Sequence, residues 1–88
     1  MLRVTVHNDD IVATIELQGK LTANWVGPVL ETWNTLSLTG QTVSLDLSAV
    51  SYIDKAGRLL LAQMHARGVR LAGPGLMIRG VIEEITSR

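Results

Sequence analysis

The sequence contains no cysteine and no phenylalanine, and its 88 residues include only two tryptophans and one tyrosine. Without cysteine the chain forms neither a disulfide nor a thiolate metal site, which is compatible with a reducing compartment. Three aromatic residues are too few for a base-stacking surface. Eight basic residues balance eight acidic ones, and a formal net charge of zero gives nucleic-acid binding no electrostatic support. We therefore expect no nucleic-acid partner.

Long apolar runs are also missing from the sequence. No segment approaches the ~18 consecutive apolar residues of a membrane span. Residues 1–7 alternate between apolar and polar and lack the apolar block of a signal peptide. We therefore expect a cytoplasmic protein with no direct membrane insertion. The hydrophobic fraction of 47% is too high for a disordered chain, and the length fits one small domain spanning residues 1–88.

Alternation of apolar and polar residues predicts four strands. The first two flank the turn Asn8–Asp10 and should form an antiparallel hairpin, with Gly19 ending the second strand. The predicted strands are residues 2–7, 11–18, 42–48 and 69–72.

Apolar residues at three- and four-residue spacing predict three helices. The first carries a stripe from Val26 through Trp33 to Leu36 or Leu38, with Pro28 in its first turn and its cap near Asn24 or Trp25. Trp33 is interpreted as a core residue, and Trp25 as part-exposed. The second helix runs from Lys55 to about Arg67, with Gly68 as its stop. The third includes Ile78, Val81, Ile82 and Ile85 and follows a turn at Gly73-Pro74-Gly75.

The order β-β-α-β-α-β-α predicts an α/β domain with a mixed four-stranded sheet and helices mainly on one face. The segment 42–72 should be a βαβ unit with parallel strands, and the N-terminal strand should supply an antiparallel edge.

The junction between the third strand and the second helix, Tyr52–Leu59, is called the corner below. Asp54 is well placed to cap the helix. Lys55 and Arg58, however, put positive charge at the positive end of the helix dipole, and each destabilises the helix by about 0.3–1 kcal/mol. Gly57 in the first turn costs about 1 kcal/mol relative to alanine. Such exceptions occur mostly where function or tight packing requires them, so we predict a working surface here. The alternative is a simple capped helix start.

The segment Leu45–Asp54 (LDLSAVSYID), followed by Gly57 and Leu60-Leu61, resembles the STAS domain of bacterial anti-sigma factor antagonists. Gly19-Lys20-Leu21 also resembles the first loop of that family. In phospho-regulated members the corner reads Asp-Ser-Ser-Gly or Asp-Ser-Thr-Gly, and a kinase phosphorylates the second hydroxyl residue. In this chain Ala56 occupies the phosphoacceptor position, and Thr22 stands where members often carry an acid.

The resemblance implies a non-enzymatic, protein-binding regulatory module that acts by partner switching, and these departures favour a phosphorylation-independent one. One candidate partner is a kinase-fold anti-sigma factor. The alternative is a permease or ATPase of a lipid-transport ABC complex, whose STAS subunits often read Asp-Thr-Ala-Gly at the corner. A third hypothesis is self-association as a homodimer through Trp25 or the sheet edge. The predicted partner-binding residues are Thr22, Tyr52, Asp54, Lys55, Ala56, Gly57, Arg58 and Leu59.

Other candidate sites have simpler explanations. His7 and His65 lack the pattern of a metal site or a catalytic triad, and Glu83 and Glu84 should point in different directions on a helix. We predict no enzyme activity, metal or cofactor. Ser48 and Ser51 are alternative phosphoacceptors or partners for loop backbone groups. The turn 73–75 could bind a small anion, although a plain turn is favoured.

Between Lys55 and Ile82 every charged residue is basic. This run predicts either a basic face for an acidic partner or ordinary solvated surface. Its members are Lys55, Arg58, Arg67, Arg70 and Arg79.

Overall fold

The computed structural model describes residues 2–73 and 76–86, and for residues 76–79 and 86 it describes the backbone alone. The order of elements confirms the predicted β-β-α-β-α-β-α arrangement. The elements are β1 (Leu2–Asn8), β2 (Val12–Leu21), α1 (Ala23–Ser37), β3 (Thr42–Ile53), α2 (Lys55–Ala66), β4 (Arg70–Ala72) and α3 (Leu76–Thr86). No helix in the described ranges is long and apolar enough to cross a membrane.

The four strands form one mixed sheet in the order β1-β2-β3-β4. β1 runs antiparallel to β2, while β2, β3 and β4 are parallel neighbours, as predicted for the edge and for the βαβ unit. All three helices bury residues in the same core as the sheet, so they cover one face of it. That face holds the fully buried Ile15, Leu17, Leu45 and Leu47.

β2 and β3 are both longer than their alternation predicts. β2 continues through Gly19, which has a φ of 106°, to Leu21, so the prediction that Gly19 ends the strand is wrong. β3 continues to Ile53 instead of stopping at Ser48.

Two bulges in β3 explain why the strand extends beyond the end that its alternation predicts. The register shifts from Glu16↔Asp46 to Gln18↔Ala49, and again from Gly19↔Val50 to Lys20↔Tyr52, with one extra residue in β3 each time. The buried positions of β3 after Leu47 therefore recur every third residue, at Val50 and Ile53. A bulge interrupts the two-residue period on which strand prediction depends.

Asp46 and Ser51 provide side-chain hydrogen bonds at the bulges. Asp46 Oδ1 accepts bonds from the Ser48 hydroxyl at 2.6 Å and from the Ser48 backbone N–H at 2.9 Å. These bonds hold the pKa of Asp46 below its usual value of 3.8. The Ser51 hydroxyl donates to the Gly19 carbonyl at 3.3 Å, which agrees with the expectation that it satisfies a backbone group.

α1 begins earlier than predicted. Its N-cap is Thr22, so Asn24 and Trp25 lie inside the helix. Pro28 is then the sixth residue of α1 rather than a first-turn residue. The preceding Gly27 has no Cβ to clash with the proline ring, which makes a helical backbone tolerable at that point.

The apolar stripe of α1 buries Trp33, as predicted, and ends at Leu36. Leu38 lies beyond the helix and is 89% exposed. Trp25 is half-buried against the core.

α2 and α3 confirm the remaining pattern. α2 buries Leu60, Leu61 and Met64, and Gly68, with a φ of 89°, follows its end. On α3, Val81 is buried, while Ile82 and Ile85 pack half-buried against the core. Pro74 and Gly75 of the predicted turn, and the side chain of Ile78, lie outside the described residues.

Candidate functional site

The corner lies where two parallel strands end side by side. Leu21 at the end of β2 is paired with Ile53 at the end of β3. α1 and α2 start directly after these residues, so their N-terminal ends meet at the same edge of the sheet. This arrangement brings Thr22 next to the corner, from which it is distant in sequence.

Asp54 caps both helices. Its Oδ1 accepts a hydrogen bond from the Gly57 backbone N–H at 2.8 Å, which confirms the predicted cap of α2. Its Oδ2 accepts a bond from the Ala23 backbone N–H at 2.9 Å. The carboxylate thus satisfies one backbone donor on each of two helices and places its negative charge at both positive dipole ends.

The sequence carries one local signal for the start of α1, because threonine is a favoured N-cap residue and Thr22 occupies that position. Thr22 makes no side-chain capping bond, and the acceptor comes from Asp54, 31 residues after Ala23. Only the pairing of β2 with β3 reveals this bond. Asp54 therefore links the starts of α1 and α2.

Gly57 is buried because α2 packs directly on the end of β2. A Cβ at this position would lie 2.8 Å from the Leu21 carbonyl oxygen and 2.9 Å from Ile53 Cγ2. The first of these atoms belongs to the backbone and cannot move cheaply. Tight packing thus accounts for the glycine in the first turn of α2.

The exposed part of the corner combines apolar and basic side chains. Tyr52 is 49% exposed and Leu59 is 59% exposed, and both Lys55 and Arg58 are exposed between them. Ala56 is half-buried. Tyrosine and arginine are enriched at protein-binding surfaces, so Tyr52 and Arg58 make the corner a candidate for one.

Arg58 and Lys55 differ in their surroundings. Arg58 Nη1 lies 3.6 Å from Glu84 Oε2 on α3, and both side chains are about half exposed. Such a pair is worth about 0–1 kcal/mol and can open easily. Lys55 forms no ion pair with any described side chain. The positive charge of the corner is therefore carried mainly by Lys55, with Arg58 partly offset by Glu84.

A shallow groove of about 240 Å³ separates α2 from α3 beside the corner. Leu59, Ala62, Val81 and Ile85 form its apolar walls. Lys55 and the Arg58–Glu84 pair line its charged rim.

The other candidate residues do not form a second site. Nε2 of the exposed His7 lies 3.6 Å from Glu16 Oε2, and His65 is exposed on α2. In the described part of the chain, no group of three or more His, Cys, Asp or Glu residues could hold a metal ion. Ser48 differs from the expectation, because its hydroxyl donates to the Asp46 carboxylate rather than to a backbone group.

The basic run does not form one continuous face. Lys55 and Arg58 lie at the start of α2, whereas Arg67 follows its end and stacks 5.9 Å from the Trp33 ring. Twelve helical residues separate the two ends by about 18 Å. Arg70 lies on β4, and the side chain of Arg79 is outside the described part.

No family model and no curated protein matches the chain. Among solved structures, it is similar to an anti-sigma factor antagonist from Mycobacterium paratuberculosis, with a TM-score of 0.83 and 17% identity over 99% of this chain and 79% of that one. It is also similar to the anti-sigma factor antagonist SpoIIAA in its unphosphorylated form, with a TM-score of 0.70 and 21% identity over 92% of this chain and 82% of that one.

A third similar structure is Mglu, with a TM-score of 0.64 and 29% identity over 81% of this chain. The match spans only 19% of Mglu, so in that protein the similar region is a small part of a longer chain. The element order, the mixed sheet and these similarities agree: the chain has the STAS fold of the anti-sigma factor antagonists.

Proposed function

We propose that the protein is a non-enzymatic regulatory module that binds another protein through the corner, in the manner of an anti-sigma factor antagonist. The observation that carries this proposal is the exposure of Tyr52, Lys55 and Leu59 at a rigidly braced helix start. Asp54 and Gly57 brace that start, through the double cap and the close packing on Leu21. A partner with apolar side chains next to an acidic residue matches this surface.

Binding through the corner is proposed to be independent of phosphorylation. Ala56 has no hydroxyl group to accept a phosphate. The Ser51 hydroxyl is hydrogen-bonded to the Gly19 carbonyl, and a phosphate on Ser48 would meet the Asp46 carboxylate. Lys55 instead supplies a positive charge that no kinase removes.

Charge reversal at Lys55 tests the binding surface. Lys55→Glu should weaken partner binding about tenfold or more, equivalent to about 1.4 kcal/mol. The same change replaces an unfavourable charge at the α2 N-terminus with a favourable one, which should stabilise the fold by about 0.3–1 kcal/mol. A gain in thermal stability together with a loss of binding would exclude misfolding as the cause.

The measurement is affinity capture with the wild-type protein, with Lys55→Glu, and with Lys55→Glu/Arg58→Glu, followed by titration of the recovered partner. Arg70→Glu is the matched control, because it reverses an exposed charge on β4 and should leave binding unchanged. Unchanged recovery with both corner variants would refute docking at the corner. A kinase-fold anti-sigma factor among the recovered proteins would support the proposal, and a permease or ATPase would assign the protein to a transporter instead.

Intact mass spectrometry after incubation with that kinase and ATP tests phosphorylation independence. We expect no mass increase. A stoichiometric phosphate on Ser48, Ser51 or Thr22 would contradict it.

A further inference from the structure

We propose that β1 pairs with β1 of a second copy of the chain, antiparallel about a two-fold axis at Thr5. The two sheets would then join into one continuous sheet of eight strands. This surface is separate from the corner, which lies at the ends of β2 and β3, so the inference stands independently of the proposed function.

The outer edge of β1 has the features of a strand that can accept another. Its seven residues pair with β2 in an uninterrupted register, and in the described part of the chain no strand lies on its other side. Proteins usually protect such edges with proline, a bulge, an inward-pointing charge or a very short strand. β1 has none of these, whereas β4 at the opposite edge has only three residues.

The apolar residues of β1 are covered unevenly along the strand. Leu2 is buried, Val4 is half-buried, and Val6 is 40% exposed, although all three are on the side of the helices. A two-fold axis at Thr5 places Val6 of each copy opposite Val4 of the other. The exposed Val6 of each copy thereby packs on the half-buried Val4 of the other. Such cross-strand pairs of β-branched side chains stabilise sheets.

Charge along β1 favours the antiparallel direction. Arg3 lies near the start of the strand, and the acidic residues Asp9 and Asp10 directly follow its end. The backbone N–H groups of Ile11 and Val12 donate to Asp9 Oδ1 at 2.8 and 2.7 Å and hold the pKa of that carboxyl below its usual value. Antiparallel pairing brings each Arg3 towards the acidic turn of the other copy, whereas parallel pairing would bring like charges together.

The axis at Thr5 is also the register that pairs all seven residues of β1, because Thr5 is the midpoint of Leu2–Asn8. A single strand pair buries less than the ~800 Å² per partner of a standard interface. The dimer should therefore be weak, with a dissociation constant on the order of 100 µM.

Sedimentation equilibrium between about 10 µM and 1 mM, which spans the expected dissociation constant, tests the proposal. The wild-type protein should shift from monomer to dimer. Thr5→Lys and Thr5→Glu should each remain monomeric, because the axis places like charges directly opposite each other. A 1:1 mixture of the two variants should dimerise again, since the opposed charges are then complementary.

The controls are Gln63→Lys and Gln63→Glu, which make the same charge changes on the exposed side of α2 and should dimerise like the wild type. A wild-type protein that stays monomeric at about 1 mM would overturn the proposal. So would a wild-type dimer whose mixed Thr5 variants fail to associate while circular dichroism shows both to be folded. If either Thr5 variant does not fold, Val6→Lys replaces it, with loss of the dimer expected and an unchanged dimer contradicting the model.

Discussion

Replacing Asp54 with alanine should cost more than the loss of an ordinary helix cap. The carboxylate accepts bonds from Gly57 on α2 and Ala23 on α1, at 2.8 and 2.9 Å. A single cap is worth about 0.5–2 kcal/mol, typically about 1. With two helix ends lost together, we expect Asp54→Ala to lower the free energy of unfolding by about 2–3 kcal/mol.

The expected loss is large compared with the 5–15 kcal/mol by which domains are usually stable. For a domain of this size each kcal/mol shifts the melting temperature by about 4–8 °C, so Tm should fall by about 10–20 °C. Urea unfolding, followed by circular dichroism and by the fluorescence of the buried Trp33, would measure the free energy of unfolding, and a thermal scan followed by circular dichroism would measure Tm. Asp10→Ala, at an exposed turn position, is the control and should change stability by less than about 0.5 kcal/mol.

A second substitution separates the two caps. Ala23 is the first residue of α1, a position that suits proline, and Thr22 before it has the extended backbone that a following proline requires. Ala23→Pro removes the N–H that donates to Asp54 Oδ2. In the Ala23→Pro background, Asp54→Ala removes only the bond from the Gly57 N–H and should lower the free energy of unfolding by about 1 kcal/mol. An equal cost in both backgrounds would show that the bond to Ala23 contributes nothing and would refute the double cap.

Two further predictions concern Gly57 and Asp46. Gly57→Ala should lower the free energy of unfolding by about 1–3 kcal/mol, because the added Cβ would press on the Leu21 carbonyl oxygen. Gly80→Ala in α3, where the added Cβ meets open space, should instead raise the free energy of unfolding by about 0.5–1 kcal/mol. If urea unfolding shows that both substitutions change the free energy in the same direction, the packing argument is disproved. The lowered pKa of Asp46 contributes stability that is present above its unfolded value, near 3.8, and is lost as the pH falls through the folded value. Asp46→Asn should therefore be less stable than the wild type at neutral pH, and the difference in urea midpoint should shrink below about pH 3.8; a constant difference would show that the bonds from Ser48 do not stabilise the ionised carboxyl.

The elements with unbroken periodicity were predicted well from the sequence. The alternation of β1 and the stripe of α2 follow from local pattern, because one face of each element is buried. Asp54 as a cap was also predictable, since its acceptor role for Gly57 is local.

The errors occurred where distant residues determine local structure. The first backbone N–H of α1, that of Ala23, donates to Asp54, which follows the end of β3 and lies outside any local sequence window around α1. The end of β3 was missed because its bulges replace alternation with a three-residue spacing. The contact of Arg58 with Glu84 depends on how α3 packs against α2, so the partial neutralisation of the corner was also beyond local pattern.

The first bulge of β3 contains an extra residue whose deletion would not reverse the side chains that follow it. The first bulge places both Ser48 and Ala49 outward between the buried Leu47 and Val50. Deleting Ala49 would restore simple alternation and leave Leu47 and Val50 facing the helices, whereas deleting Ser44 from the regular part would turn the following side chains over. The shortened strand would lose the bend at the first bulge and keep only the one between Val50 and Tyr52. The number of residues in β3 thus contributes to the direction in which the strand leads into α2.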